Sequence, residues 1–365
     1  MFLGLFGCLF RHGGVERAAR LTGAVLTRMA DDLGQPCRLL GLNDDLGTHS
    51  FVVDGLKCSS IGFGRNKVRF LAHALRSARL SRVVFLGHPN LAPIGRALQL
   101  INPELRYWVA AHGVEVWHPL GAFRRAALRK AEGVTAPSRD TVEHLIINQG
   151  VIPKKVALLP YCLDPGFNDR VCSNHLSPSS QSASVLTVGR LLRSEPGKGV
   201  DTVIRAFPKV LQAVPSAEYI IIGDGNHRSY LEQLAKETGV RERVSFLGPQ
   251  NDDELREHYR KAAVFAMPSR QEGFGIVYLE AMSFAKPVVA AGFGGAPDIV
   301  IDGLTGFLIP YGDVDALADR LICLLRNADL RCKLGISGRA RVEAHYSFGG
   351  FRQQLADLLT PSLPV

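Results

Sequence analysis

Two doubly wound α/β domains joined by a linker are the fold class that this 365-residue sequence predicts, on three observations. Short apolar runs alternate with amphipathic segments from end to end. Those runs are continuous in Val, Ile and Leu, and a stretch of linker composition divides the chain near its middle. Continuous apolar runs bounded by Gly or Pro are strands buried on both faces of a parallel sheet. Strand–helix–strand alternation then builds layered, doubly wound units.

The chain opens MFLGLFGCLFRHGGVERAARL. Ten uncharged, mostly apolar residues precede Arg11, whereas a secretory leader carries positive charge before its apolar core. The run is also too short to span a bilayer. It is read as a first parallel strand that delivers Gly13 and Gly14 to a helix running from Glu16 to Leu33. Further strands are read at RVVFLG (82–87), RYWVAA (106–111) and VTAP (134–137), with a helical pattern from Val68 to Ser77. In VCSNHLSPSSQSAS (171–184) seven of fourteen residues are Ser or Pro, which is linker composition. Strands resume at SVLTVG (184–189), AEYIIIG (217–223), RVSFLG (243–248), AVFAMP (263–268) and KPVVAA (286–291). The expected division is a domain over 1–170, a linker over 171–184 and a second domain over 185–345. A helix over 346–365 is expected to pack back on the first domain. Ligands of such sheets bind at the carboxyl ends of the strands, so the site is expected in a cleft between the domains.

Charge is uneven. Residues 1–170 hold 22 Lys and Arg against 13 Asp and Glu, whereas the remainder holds 21 of each. Two readings are open: an acidic partner met by the first half alone, such as an anionic membrane face or a phosphorylated substrate, or a basic surface kept for solubility. Nucleic acid is not expected, because no aromatic-interleaved basic patch or recognition motif is present. Seven cysteines without a CxxC pair exclude a disulfide framework and a structural zinc site. A cytoplasmic protein, peripheral at most on the inner membrane face, is the expectation.

The stretch richest in chemistry is PSRQEGFGIVYLEAMSFAKPVVA (268–290). Gly273 and Gly275 flank Phe274 between a strand and a helix, where backbone N–H groups can meet a phosphate. Glu272 and Glu280, eight residues apart, can bracket one ligand, and a carboxylate accepts well from vicinal hydroxyls. Unaided, these residues describe a loop for a phosphorylated sugar. Asp313-Val314-Asp315, directly before an amphipathic run, reads as a helix cap and not as a metal site.

The E-x7-E pattern around GFG resembles the retaining glycosyltransferases of the GT-B fold, family 4, and the likeness extends over most of the chain. VGRL (188–191) with Lys198-Gly199 resembles that family's donor-diphosphate pair, and IIIGDG (220–225) its next strand and turn. VSFLGPQ (244–250) is similar to its nucleobase loop, and GLTGFLIPYGDVDALAD (303–319) to its C-terminal signature. Gly13-Gly14 looks like the family's glycine loop, and AAHGVEVWHP (110–119) like the motif whose histidine faces the transferred sugar. What the resemblance implies is a GT-B architecture, two Rossmann-like domains facing each other across a cleft. By the same resemblance Glu272 would bind donor-hexose hydroxyls and Glu280 the ribose. Phe274 and Gly275 would offer N–H groups to a diphosphate neutralised by Arg190 and Lys198. His112 would contact the sugar near its reacting face. Gly13, Gly14, Gly223, Leu247 and Gly273 would complete the donor site.

The eight-residue spacing from Arg190 to Lys198 is longer than common members have and resembles that of some exopolysaccharide mannosyltransferases. It leaves Arg193 and Lys198 as alternatives for the main diphosphate contact. The implied donor is GDP-mannose or a UDP-hexose, and the acceptor a glycan or a polyprenyl-diphosphate-linked sugar. No cofactor or metal is implied, since two fixed cations and a helix N-terminus can stabilise the leaving diphosphate. A dinucleotide oxidoreductase or P-loop ATPase lacks its glycine fingerprint here. A sugar-nucleotide epimerase or phosphorylase on the same fold, or a non-catalytic sugar-nucleotide binder, shares the motifs.

Overall fold

The computed structural model describes residues 1–11, 13–167 and 183–362, so most of the Ser/Pro-rich run 171–184 lies outside the described residues. The chain divides into two compact units: Met1–Gly166 together with Ser347–Val365, and Phe167–Tyr346.

The first unit runs β1 (Phe2–Phe6), α1 (Gly14–Asp32), β2 (Cys37–Gly41), β3 (Gly47–Val53), β4 (Leu56–Gly62), α2 (Lys67–Ala78) and β5 (Val83–Leu86). It continues through α3 (Ala92–Ile101), β6 (Arg106–Ala110), α4 (Ala122–Lys130), β7 (Gly133–Ala136), α5 (Arg139–Ile147) and β8 (Val156–Leu158). Its eight strands lie in the order β3-β4-β2-β1-β5-β6-β7-β8. The opening stretch is thus a central strand: β1 pairs in parallel with both β2 and β5 and is buried along its whole length. Removing it would split the sheet.

One edge departs from the parallel pattern that the sequence predicts. β3 and β4 form an antiparallel hairpin whose turn residues Asp54 and Gly55 both have positive φ, 49° and 76°. Asp-Gly is a favoured pair for such a turn, because its backbone twist matches that of the flanking strands.

The second unit runs β9 (Ser184–Val188), α6 (Val200–Ala213), β10 (Glu218–Ile222), α7 (Arg228–Glu237), β11 (Val244–Gly248), α8 (Asp252–Lys261) and β12 (Val264–Met267). It closes with α9 (Ile276–Ser283), β13 (Val288–Ala291), α10 (Ala296–Ile299), β14 (Gly306–Ile309), α11 (Val314–Arg326) and α12 (Ala328–His345). All six strands are parallel, in the order β11-β10-β9-β12-β13-β14. This is the Rossmann order, with its switch point between β9 and β12. The five strands predicted here from apolar runs are all found, and a sixth, β14, joins them at the edge. A core of aliphatic and aromatic side chains, including Val203, Phe207, Tyr219 and Leu321, covers one face of the sheet.

Helix starts follow local chemistry. Asp313 accepts a hydrogen bond from Ala316 N at 2.9 Å and caps α11, as its position before the amphipathic run predicts. Asn251 and Glu254 form a reciprocal capping box on α8. After the second unit the chain returns to the first through α13 (Phe348–Leu359), which packs against α1.

Candidate functional site

In the second unit the predicted residues cluster at the carboxyl ends of β9 and β12. The turn Glu195–Gly199 after β9 and the loop Pro268–Gly275 after β12 are bound to each other by backbone and side-chain hydrogen bonds. Arg270 N donates to Gly197 O at 2.8 Å, and Gly197 N donates to Gln271 Oε1 at 3.0 Å. Gly199 has φ +80°, and a Cβ there would overlap the Pro268 carbonyl, so only glycine permits this approach. The consequence is a meeting of two residues 74 positions apart. Lys198 Nζ lies 2.8 Å from Glu272 Oε2 and 3.2 Å from the Gln271 carbonyl oxygen. Both side chains are largely withdrawn from solvent, at 19 % and 16 % exposure. Such a half-buried pair is screened less by salt than a surface pair.

Lys198, rather than Arg193, is the cation that reaches Glu272. Arg193 is exposed, and its backbone N–H is held by Asn226 Oδ1 at 2.8 Å. The long spacing between Arg190 and Lys198 has a structural content that sequence reasoning missed. Its Glu195 turns back to Arg190, with Nη2 and Oε1 2.8 Å apart, while Leu191 is buried against the Asp224–His227 turn.

Gly275, at φ +102°, sits where α9 begins, and a Cβ on it would overlap the Tyr278 ring. The Phe274 side chain is buried and meets Tyr346 edge-on at 6.0 Å, which anchors the turn. A neighbouring loop supports it: Gly295 N donates to Glu272 O at 2.8 Å, and a Cβ on Gly295 would press on the Phe274 backbone. Glu280 lies one helix face away, 3 % exposed, with Oε2 accepting from Tyr259 Oη at 2.8 Å. Gly223 (φ +124°) joins the ends of β10 and β11 by donating to Gly248 O, and Leu247 is 40 % exposed beside it.

In the first unit a second cluster forms at the carboxyl ends of β1, β5 and β6. The HGVE sequence is a self-capped turn: Glu115 Oε1 accepts from His112 N at 2.6 Å, and Gly113 takes φ 132°, open in practice to glycine alone. The His112 ring spans two fixed partners. Its Nε2 lies 2.8 Å from the Gly87 carbonyl oxygen, which can only accept, so this nitrogen carries the proton. Its Nδ1 then accepts from Tyr161 Oη at 2.6 Å. Burial pushes the Tyr161 hydroxyl well above its usual pKa, with Glu115 adding to the effect, so it remains a donor.

His88 packs beside His112 with ring centroids 5.8 Å apart, and its Nδ1 accepts from Asn90 N. Burial, and secondarily His112, push the His88 pKa down to about 4. An unfolded histidine titrates near 6.5. Between those values the unfolded chain holds a proton that the folded chain lacks, so stability is lost as pH falls through this window. Melting temperatures from pH 7 to pH 4 should therefore fall less steeply for His88→Asn than for the wild type; equal slopes would contradict the assignment.

Gly13 and Gly14 open α1 after a loop held by a residue that sequence reasoning missed. Asp44, 3 % exposed, accepts from Leu9 N at 3.0 Å, Phe10 N at 3.1 Å and the Cys8 thiol at 2.8 Å. Burial and the Asp44 carboxylate push the Cys8 pKa up, which keeps the thiol a donor. Among the described residues no three His, Cys, Asp or Glu side chains are grouped as a metal-ligand set. No described helix is long and apolar enough to cross a membrane.

Comparison with known proteins agrees with this geometry. Residues 174–341 match the family model described as glycosyl transferases group 1. A GDP-mannose-dependent alpha-(1-6)-phosphatidylinositol monomannoside mannosyltransferase of Mycolicibacterium smegmatis is 33 % identical over 272 residues, 70 % of each chain. The chain belongs to the group 1 glycosyltransferases. Among other members of that family, the GDP-mannose-dependent monoacylated alpha-(1-6)-phosphatidylinositol monomannoside mannosyltransferase of Corynebacterium glutamicum is 40 % identical over 174 residues. That match covers 46 % of this chain and 45 % of the relative, so the alignment spans less than half of the relative's length. Of solved structures, the sucrose-phosphate synthase of Thermosynechococcus elongatus superposes with a TM-score of 0.79 at 21 % identity, covering 99 % and 98 % of the two chains. Anabaena HepE in complex with UDP gives 0.76 at 20 % identity, covering 99 % of both. The fold of this group 1 glycosyltransferase is accordingly GT-B, as the E-x7-E resemblance implies.

Proposed function

We propose that this chain transfers a hexose, with retention of configuration, from a nucleoside diphosphate sugar to a hydroxyl of a glycan or lipid-linked acceptor. The observation that carries the reading is the Lys198–Glu272 pair, held by two interlocked loops where α9 begins. A carboxylate for sugar hydroxyls and a cation for phosphate then lie side by side, as a sugar bound to phosphate requires. The names of the mannosyltransferase relatives support mannose as the sugar and GDP as its carrier, ahead of a UDP-hexose.

In the proposed mechanism the bond between the anomeric carbon and the diphosphate oxygen breaks while the acceptor oxygen bonds to the same face. The acceptor proton passes to a phosphate oxygen of the departing nucleoside diphosphate. Lys198, Arg190 and the first N–H groups of α9 meet the charge that develops on that leaving group. In this scheme those charges do the work a divalent cation would otherwise do. Within the first unit, His112 is held rigid between the Gly87 carbonyl and the Tyr161 hydroxyl, as a residue facing a sugar would need to be. The basic surplus of residues 1–170 fits an anionic acceptor or the membrane surface that carries it.

A screen of GDP-, UDP- and ADP-sugars by thermal shift tests the reading. A donor at a hundred times its Kd stabilises by about 2.7 kcal/mol, or roughly 5 °C and more for a unit of this size. GDP-mannose is expected to give that shift, and radiolabelled mannose to pass into glycan or lipid on incubation with a membrane extract. A protein that no sugar nucleotide stabilises would end the proposal.

A further inference from the structure

By resemblance His112 is the histidine that faces the sugar, yet its ring has no hydrogen-bonding group left to give. Nε2 lies 2.8 Å from the Gly87 carbonyl oxygen, and Nδ1 lies 2.6 Å from the Tyr161 hydroxyl. A neutral imidazole has one donor and one acceptor, and the protein engages both. These partners are themselves fixed. Gly87 N donates to Leu5 O at 2.8 Å, and a Cβ on Gly87 would overlap the Phe6 ring. Tyr161 is buried, with its ring stacked on that of His112 at an interplanar angle of 28°.

The neighbouring ring is held differently. His88 follows Gly87 after β5 and caps the short turn Pro89–Leu91. Its Nδ1 accepts from Asn90 N at 3.1 Å, so the proton of the neutral ring sits on Nε2. Among the described residues nothing accepts a hydrogen bond from that Nε2–H. The ring is half-buried, with its centroid 5.8 Å from that of His112. Asn90 is held in turn, its Oδ1 accepting from Arg124 Nη1 at 3.1 Å. The ring is also uncharged at neutral pH. Burial first, and then His112, outweigh nearby Glu115 and push its pKa down to about 4. A neutral donor suits a sugar under transfer. Positive charge grows at the anomeric carbon as the diphosphate departs, and a cation beside it would oppose that growth.

We infer that His88, and not His112, donates the histidine hydrogen bond to a sugar hydroxyl, through its Nε2–H, while His112 packs against the same sugar as a fixed ring. The inference rests on the sugar-transfer reading above and names the group that meets the sugar in the first unit. A hydroxyl of the donor hexose and one of a glycan acceptor share this chemistry, and the two probes below separate them.

Long-range proton–nitrogen NMR of the histidine rings in the whole chain gives the first readout, with GDP-mannose and methyl α-D-mannoside as probes. His88 Nε2 is expected to shift on saturation while both His112 nitrogens stay in place. A shift with GDP-mannose assigns the hydroxyl to the donor. A shift with the methyl glycoside, added to protein already saturated with GDP-mannose, assigns it to an acceptor sugar. Transfer of radiolabelled mannose to a membrane extract gives the second readout. His88→Asn keeps an oxygen that can accept from Asn90 N, so the turn is retained, but it has no donor at the Nε2 position. Its kcat/KM should fall about tenfold, which is what one neutral hydrogen bond contributes. His88→Gln, whose amide NH2 reaches the Nε2 position, should recover most of that loss. Shifts at the His112 nitrogens with none at His88, or a His88→Asn variant that transfers like the wild type, overturn the inference. If GDP-mannose stabilises the wild type and His88 fails these tests, this inference alone is lost. If no sugar nucleotide stabilises it, the transfer reading fails, and His88 stands or falls on the methyl mannoside titration.

Discussion

Glu272→Gln is expected to lower kcat by about 10²–10³-fold, with a change of only a few-fold in the KM for the donor. The amide keeps the size and one acceptor oxygen of the carboxylate, so binding of sugar hydroxyls is largely retained. What it loses is the charge that holds Lys198 at 2.8 Å. Lys198 is then free to leave the position from which it would meet the departing diphosphate. Removing one such pre-positioned group typically costs about 3–4 kcal/mol of transition-state stabilisation, which corresponds to that loss of rate. Lys198→Met should fall in the same range. The double variant should be little worse than either single one, because residues acting as one unit are not additive. Steady-state kinetics with a fixed acceptor checks this, and unchanged turnover in Glu272→Gln would remove the assigned role.

Asp44→Ala is the substitution with the largest expected effect on stability. It leaves the N–H group of buried Leu9 and the part-buried N–H of Phe10 without the carboxylate that accepts from them. An unsatisfied buried donor costs about 1–3 kcal/mol, so a loss of roughly 3 kcal/mol or more is expected. Urea unfolding should show a lower midpoint with an unchanged slope. Asp44→Asn, which keeps one oxygen acceptor, should recover part of the loss. Hydrogen exchange adds a local readout, with the Leu9 and Phe10 amides becoming faster in Asp44→Ala. A change below 1 kcal/mol would show that the loop before Gly13 is held by something else.

These two variants also mark what could and could not be read from the sequence. The parallel strands are legible because burial on both faces leaves an unbroken Val/Ile/Leu signature, as in Ile220–Ile222 and Val288–Val289. The Asp313 cap is legible because capping is local. Lys198 and Glu272 stand out singly by their motifs. Their pairing is not visible, because it depends on two loops meeting across the β9–β12 switch point. Asp44 and Glu195 carry no motif at all. Each matters through one tertiary contact, and nothing in the neighbouring residues announces it. Gly295 could have been found, since a Gly-Gly pair directly after a strand signals a close backbone approach. The β3–β4 hairpin could also have been found, from Asp54-Gly55 between two apolar segments.

The return of α13 to α1 has a consequence for how the molecule is made. The first unit contains the opening strand of the chain and a helix that follows the entire second unit. A ribosome therefore releases every strand of the first sheet long before the helix that covers α1 exists. While the second unit is made, the first waits with an uncovered apolar face, whereas Phe167–Tyr346 emerges as one uninterrupted segment and can fold at once. Trp108, whose indole N–H reaches Ser362 at 3.1 Å, can make its bond only after the whole second unit has been synthesised. Closing contacts over so long a separation is slow, and the waiting intermediate is the species most exposed to aggregation.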